Sequence, residues 1–196
     1  MTTICLVRHG ETDWNKHKRL QGQEDIPLNE LGIEQAKECG EHLKTEQWDM
    51  IISSPLSRAK KTAEIIQTYM ETPLDIIEMD AFKERSFGKG SGLYFHEIQS
   101  LYPDRNYPGM ESWEAFKTRI FQGLHQVHQE YPNQKILLVA HGAVINGILS
   151  VLSNGEIGSG KTKLINACIT NIERLEDSWK VTNYNETSHL SSFTQH

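Results

Sequence analysis

Four short β-rich apolar runs, at residues 3–7, 48–52, 74–77 and 135–140, alternate along this chain with longer stretches whose apolar positions recur every three or four residues. Strands that take turns with helices pair as a largely parallel sheet, and such a sheet must be covered on both faces. The helical stretches are read from their stripes and caps. Asn29 can cap a helix carrying Ile33, Ala36, Gly40 and Leu43 on one face. Ser54 followed by Pro55 predicts the start of a helix that buries Leu56, Ala59, Ala63, Ile66 and Met70. A third stripe runs from Ser112 through Trp113, Phe116, Ile120, Leu124, Val127 and Tyr131 and stops near Pro132-Asn133. His141-Gly142 opens a fourth, with Ile145, Ile148, Leu149 and Leu152 facing the core. Residues 163–172 and 178–184 read as two further strands, although Ile165, Cys168, Ile169 and Ile172 also fit a helical spacing. Residues 79–110, rich in glycine, aromatic and charged residues, read as an inserted lid.

A chain of 196 residues is long enough for one sizeable core and short for two, so residues 1–196 are expected to form a single domain. The formal net charge of -6 argues against a nucleic-acid backbone as the main partner, which needs a clustered positive surface. It leaves room for small anions, for which a few focused arginines and histidines suffice. Cys5, Cys39 and Cys168 are far apart and show no Cys-x-x-Cys spacing. They point to a reducing compartment, the cytoplasm, and to no disulfide or zinc framework. No basic segment leads into a long apolar stretch, so neither a signal peptide nor a membrane span is expected, and the chain is read as soluble.

In an open parallel sheet, ligands bind beyond the carboxyl ends of the strands. Arg8 and His9 follow the first predicted strand, Arg58 the second, Glu84 the third and His141 the fourth. Those residue types suit phosphoryl transfer. The transition state spreads negative charge over three equatorial oxygens, and the planar forks of Arg8 and Arg58 can hold oxygens in a fixed geometry. His141, expected to be cationic at working pH while His9 stays neutral, adds a charged donor, and Gly142 lets backbone come close. A neutral imidazole at His9 can attack phosphorus without first losing a proton, provided its other nitrogen is held as a donor. The leaving oxygen needs a proton, so a carboxyl of raised pKa should stand opposite; Glu84 is assigned this role, with Glu78, Asp80 and Glu97 as neighbours that compete for it. The scheme needs neither metal nor cofactor.

The same residues carry a resemblance. Leu6-Val7-Arg8-His9-Gly10-Glu11-Thr12, Trp14-Asn15, Gln21-Gly22, Pro27-Leu28-Asn29 with Gly32 and Gln35-Ala36, Ser53-Ser54-Pro55 with Arg58-Ala59 and Thr62-Ala63, Glu84 with Gly88, and Ala140-His141-Gly142 resemble, in order, the motifs of the histidine phosphatase superfamily, also called phosphoglycerate mutase-like. The resemblance implies a three-layer αβα sandwich around a mostly parallel six-stranded sheet. It implies that His9 becomes phosphorylated, that Arg8, Arg58 and His141 complete the phosphate pocket, and that Glu84 is the proton donor. Asn15, Gln21, Gly22 and Gly142 are the expected substrate-binding residues. The chain looks most like the small bacterial broad-specificity phosphatases. The expected partner is a small phosphorylated metabolite, with no nucleic acid and no membrane, and a homodimer is a possible assembly.

Two positions depart from the pattern. Gly109-Met110-Glu111-Ser112 stands where relatives often have Gly-Gly-Glu-Ser, which predicts a narrower, more apolar pocket wall at Met110, and Ala143 stands where mutases often have Asn. A cofactor-dependent phosphoglycerate mutase is therefore the second reading, and a non-catalytic phosphate-ligand sensor, motivated by Met110, is the third. Residues 155–162 fit the phosphate-loop pattern G-x-x-x-x-G-K-S/T, but that loop needs a strand before it and a helix after it. Here the expected order is helix then strand, and the segment reads as a surface loop. His125 and His128 share a helical face and lack a third ligand to complete a metal site. Tyr94, Phe95, Tyr102 and Tyr107 either grip a leaving group or pack the lid.

Overall fold

In the computed structural model, which describes residues 1–192, the elements run β1 (Thr3–Arg8), α1 (Asp13–Lys16), α2 (Glu30–Leu43), β2 (Met50–Ser53), α3 (Ser57–Gln67), β3 (Ile76–Glu78), α4 (Phe95–Leu101), α5 (Trp113–Glu130), β4 (Lys135–Ala140), α6 (Gly142–Leu152), β5 (Ile169–Leu175) and β6 (Ser178–Glu186). The last four positions of the expected domain, 193–196, lie outside the described residues. Six strands form one sheet in the order β3-β2-β4-β1-β5-β6. The first four are parallel, and β5 and β6 join antiparallel at one side. From β1 the chain moves through α2 to β2 and through α3 to β3, then reverses through α5 to β4. Right-handed crossovers therefore put α2 and α3 on one face and α5 and α6 on the other. The two central strands are apolar throughout because both their faces are covered: Ile4 to Val7 and Ile136 to Ala140 are at most 2% exposed.

Local chemistry fixes most helix starts. Asn29 Oδ1 accepts from Gly32 N at 2.9 Å, and Ser112 Oγ accepts from Ala115 N at 3.1 Å, each cap worth about 1 kcal/mol. At Ser54-Pro55 the expectation needs correcting. The helix begins at Ser57 with Leu56 as its cap residue; the Ser54 hydroxyl accepts from Leu56 N at 3.3 Å, ahead of the helix, and bonds to His141 Nε2 at 2.7 Å. The third strand sits slightly later than expected, at Ile76–Glu78. Residues 163–168, expected as the front of a strand, are irregular. Ala167 lies in the left-handed region at φ 63°, and its N–H donates to the His9 carbonyl, so this segment braces the loop after β1 rather than extending β5.

That loop also rests on α2. A Cβ at Gly10 would lie 2.3 Å from the Gly32 carbonyl oxygen, and one at Gly32 would lie 2.1 Å from that of Glu11, so the two glycines let backbone touch backbone. The expected lid is built of 3-10 turns at Asp80–Phe82 and Gly88–Gly90 followed by α4. Among the described residues no helix is long and apolar enough to cross a membrane.

Strand register then decides which side chains meet. Arg8 is paired with Ala140, so His9 and His141, the next residues on adjacent strands, emerge side by side. Ser53 is paired with Val139, which brings Ser54 to the same edge.

Candidate active site

At that edge lies a cavity of about 370 Å³. Arg8, His9, Arg58 and Glu84 line it, as do Asn15, Gln21, Gly22 and Gly142. His141 is fully buried just behind this surface, its ring centroid 5.2 Å from that of His9.

The His9 ring is fixed at both nitrogens. Nδ1 lies 2.7 Å from the Gly10 carbonyl oxygen, which can only accept, so the proton sits on Nδ1 and the lone pair on Nε2. Arg58 Nε donates to that Nε2 at 3.3 Å. Burial, then Arg58, then Arg8, holds the His9 pKa well below the usual imidazole value, so the ring is neutral with an available lone pair. Its backbone is braced by Asn166 Nδ2, which donates to the His9 carbonyl at 3.2 Å and to Asn15 Oδ1 at 3.2 Å. Asn166 escaped the sequence reading because it lies in the irregular segment, where no periodicity marks it.

Arg58 is 1% exposed and is aimed by two carbonyls, Nη1 donating to Glu24 O at 2.6 Å and Nη2 to Gly22 O at 2.7 Å. Gly22 therefore holds a guanidinium in place. Burial pushes the Arg58 pKa down to about 10, partly offset by Glu84, and the group stays cationic at neutral pH. Arg8 Nη1 donates to Leu164 O at 2.5 Å, while its buried Nε has no acceptor among the described residues. A Cβ at Gly142 would lie 3.3 Å from that Nε, so glycine there keeps the guanidinium unobstructed. Gln21 Oε1 accepts from Thr12 Oγ1 at 2.6 Å.

Glu84 separates from its sequence neighbours by burial. Glu78 pairs with Lys60, Asp80 with Lys83, and Glu97 accepts from Tyr94 N, whereas Glu84 is 8% exposed and faces the cavity. Burial raises its pKa more than the N–H groups of Arg85 and Ala143, at 2.8 and 3.1 Å, pull it back. A raised carboxyl is what a proton donor requires.

His141 corrects an expectation. Burial, followed by Arg58, His9 and Arg8, puts its pKa well below the usual value, so it is neutral rather than a resident cation. Its Nε2 shares a hydrogen bond of 2.7 Å with Ser54 Oγ, and its buried Nδ1 has no partner among the described residues. A dianion beside the two arginines would reverse the local field and favour protonation. Sulfate, dianionic across the neutral range, is accordingly expected to bind with proton uptake and to bind more weakly as pH rises, by about tenfold per unit where one full proton is taken up. Calorimetry in buffers of different ionisation enthalpy measures this, and uptake unchanged in His141→Gln would show that the imidazole does not titrate.

Three more guanidiniums line the cavity, those of Arg19, Arg85 and Arg105, and sequence reasoning named none of them. Arg19 stacks 4.2 Å from the Trp14 ring, and Arg85 Nε donates to the Glu111 carbonyl. Among the described residues none of the three is ion-paired with a carboxylate. Much of the remaining wall is aromatic, with Phe87, Phe95, Tyr107, Trp113 and Phe116, and it includes Met110, whose Sδ accepts from Tyr107 N. Tyr94 and Tyr102 are not part of it. Residues 155–162 lead from α6 into irregular chain, so the context of a phosphate loop is missing, but Ser159 and Gly160 reach the cavity rim. His128 meets Thr2 Oγ1 at 3.0 Å and packs against Trp179, and among the described residues no three His, Cys, Asp or Glu side chains are grouped to hold a metal ion.

This geometry has known counterparts. The chain is 51% identical over 193 residues to the uncharacterized phosphatase PhoE of Bacillus subtilis, covering 98% of this chain and 99% of that one. It is 34% identical to a metal-independent phosphoserine phosphatase of Arabidopsis thaliana, covering 98% and 84%. It is 31% identical to the phosphoglycerate mutase-like protein 4 of Arabidopsis thaliana, covering 95% and 86%, and 30% identical to the probable phosphoglycerate mutase GpmB of Salmonella choleraesuis, covering 98% and 96%. A phosphoserine phosphatase mutant from Entamoeba histolytica, in complex with phosphoserine, superposes with a TM-score of 0.83 at 31% identity, covering 97% and 100%. The model of the family described as histidine phosphatase superfamily (branch 1) matches residues 4–187, and the chain belongs to that superfamily.

Proposed function

We propose that residues 1–196 act as one histidine phosphatase domain that hydrolyses phosphate monoesters through a phosphohistidine on His9, without a metal. One observation carries this reading: the Gly10 carbonyl fixes the His9 tautomer so that the Nε2 lone pair sits beside Arg58 in the cavity that Glu84 also faces. With the phosphoryl oxygens on Arg8 and Arg58, Nε2 attacks phosphorus and the ester P–O bond breaks. The leaving oxygen takes the proton from the Glu84 carboxyl. The resulting carboxylate then removes a proton from water, whose oxygen attacks phosphorus. The N–P bond breaks, its electron pair returns to Nε2, and Glu84 is again protonated.

The guanidiniums of Arg19, Arg85 and Arg105, without a carboxylate ion pair among the described residues and set among aromatic rings in a protein of net charge -6, suit a small phosphorylated metabolite with a second anionic group on the leaving side. They suit the second phosphate of a bisphosphorylated primer equally well, which is the observation that keeps a mutase in view. Three free, buried cysteines fit a cytoplasmic setting.

One screen separates the readings. In excess EDTA the protein is expected to release phosphate from p-nitrophenyl phosphate, phosphoserine and 3-phosphoglycerate, with kcat/KM at least about tenfold lower when the distal anion is replaced by a neutral group of similar size. Activity abolished by the chelator and restored by magnesium would defeat the metal-free scheme. Isomer formation stimulated by a bisphosphate primer would indicate a mutase, and tight phosphate binding without turnover a sensor.

A further inference from the structure

We propose that Arg119, paired with Glu111, is a positioning residue for the Glu84 carboxyl; the role rests on the reading of Glu84 as proton donor given above. Arg119 projects from α5 and does not line the cavity. Its guanidinium ties Glu111 to the chain leading into Glu84, while Ala143 N and Gln23 Nε2 reach Glu84 from other segments. Nε donates to Glu111 Oε1 and Nη2 to Oε2, both at 2.9 Å, which makes a two-pronged ion pair. Nη1 donates to the carbonyls of Ala81 and Lys83 at 2.8 and 2.9 Å, and Nη2 reaches the Glu84 carbonyl at 3.4 Å. All three nitrogens are engaged, and the plane lies 5.1 Å from the Phe116 ring.

Glu111 completes the clamp on the other side of Glu84. Its Oε2 also accepts from Ser86 N at 3.3 Å, its N–H donates to Ser86 O at 2.8 Å, and its carbonyl accepts from Arg85 Nε at 3.0 Å. Backbone on both sides of Glu84 is thus fixed to one ion pair whose side chains are 24% and 17% exposed. The N–H of Arg85 that donates to Glu84 Oε1 lies inside this clamped stretch, so the pair sets the direction of the carboxyl as well as its height above the cavity floor. An ammonium on a flexible stem cannot span a carboxylate and three carbonyls in one plane, so lysine is not an equivalent.

A positioning role is distinguishable from plain structural support, because proton donation matters in proportion to how poor the leaving group is. Nitrophenolate leaves with little help, whereas an alkoxide must be protonated. The experiment compares kcat/KM for p-nitrophenyl phosphate and for an alkyl phosphate, in excess EDTA, for wild type, Arg119→Lys, Glu111→Gln and Glu84→Gln. Both clamp variants are expected to lose at least about tenfold more on the alkyl ester than on the aryl ester, in the direction of Glu84→Gln. They should also show a pre-steady-state burst of nitrophenol, since hydrolysis of the phosphoenzyme uses the same carboxylate. An equal loss on both esters, or no loss, would overturn the proposal. Glu111→Gln keeps the side-chain size and supplies the comparison if Arg119→Lys fails to fold. A wild type inactive on both esters would overturn the reaction scheme itself, and this role with it.

Discussion

His9→Ala is expected to lower turnover by on the order of 10⁴-fold or more on every phosphate monoester, because it removes the atom that forms the intermediate and not merely a contact that steadies it. Brief mixing with labelled substrate followed by denaturation should trap label on wild type that survives alkali and is released by acid, the behaviour of a phosphoramidate. The variant should trap none. Its fold should persist, since the main chain at position 9 is held by the Ala140 carbonyl, Asn166 and the Ala167 N–H, none of which uses the ring. Sulfate binding should persist for the same reason, through Arg8 and Arg58. Turnover within tenfold of wild type would rule out the imidazole as nucleophile.

Arg58→Lys is expected to cost about 10² to 10³ in kcat/KM and about 1–3 kcal/mol in stability. The two losses have separate origins. Arg58 serves His9 Nε2, Gly22 O and Glu24 O from three different nitrogens, and one ammonium cannot reach all three. A buried carbonyl left without its donor accounts for the loss of stability, and a misplaced donor on the phosphoryl oxygens accounts for the loss of rate. The acid limb of the rate profile should stay where it is, because lysine keeps the positive charge that helps depress the His9 pKa. Arg58→Gln removes that charge, so His9 takes up its proton at higher pH and the limb moves upward. Urea unfolding with a pH series of kcat/KM measures both effects, and a lysine variant within threefold of wild type would show that the fork geometry is not needed.

The parts of the molecule that were legible in the sequence are those whose causes are local. The apolar runs of β1 and β4, the stripes of α2, α5 and α6, and the cap at Asn29 depend on residues a few positions apart. The approach of Arg8, His9, Arg58 and Glu84 to one edge followed from the rule for parallel sheets, because each stands just after a strand. What stayed hidden depends on distant partners. Ser54 looked like a helix cap and bonds to His141, which follows another strand. Asn166 and Arg119 bond to backbone carbonyls far away in sequence, and a carbonyl leaves no trace in composition. The charge of His141 was misjudged because its burial, reinforced by nearby arginines and a second imidazole, outweighs its residue type.

The position of β4 between β1 and β2 has a consequence for how the chain acquires its shape. During synthesis the first two strands emerge with no partner for their facing edges, since the strand that fills the gap begins only at Lys135. Until it docks, the nascent polypeptide carries open strand edges of the kind that invite aggregation. The insertion of that strand joins β1 to β2 and brings the second imidazole beside the first in a single step, so recovery of activity after denaturation should track this long-range pairing rather than early collapse.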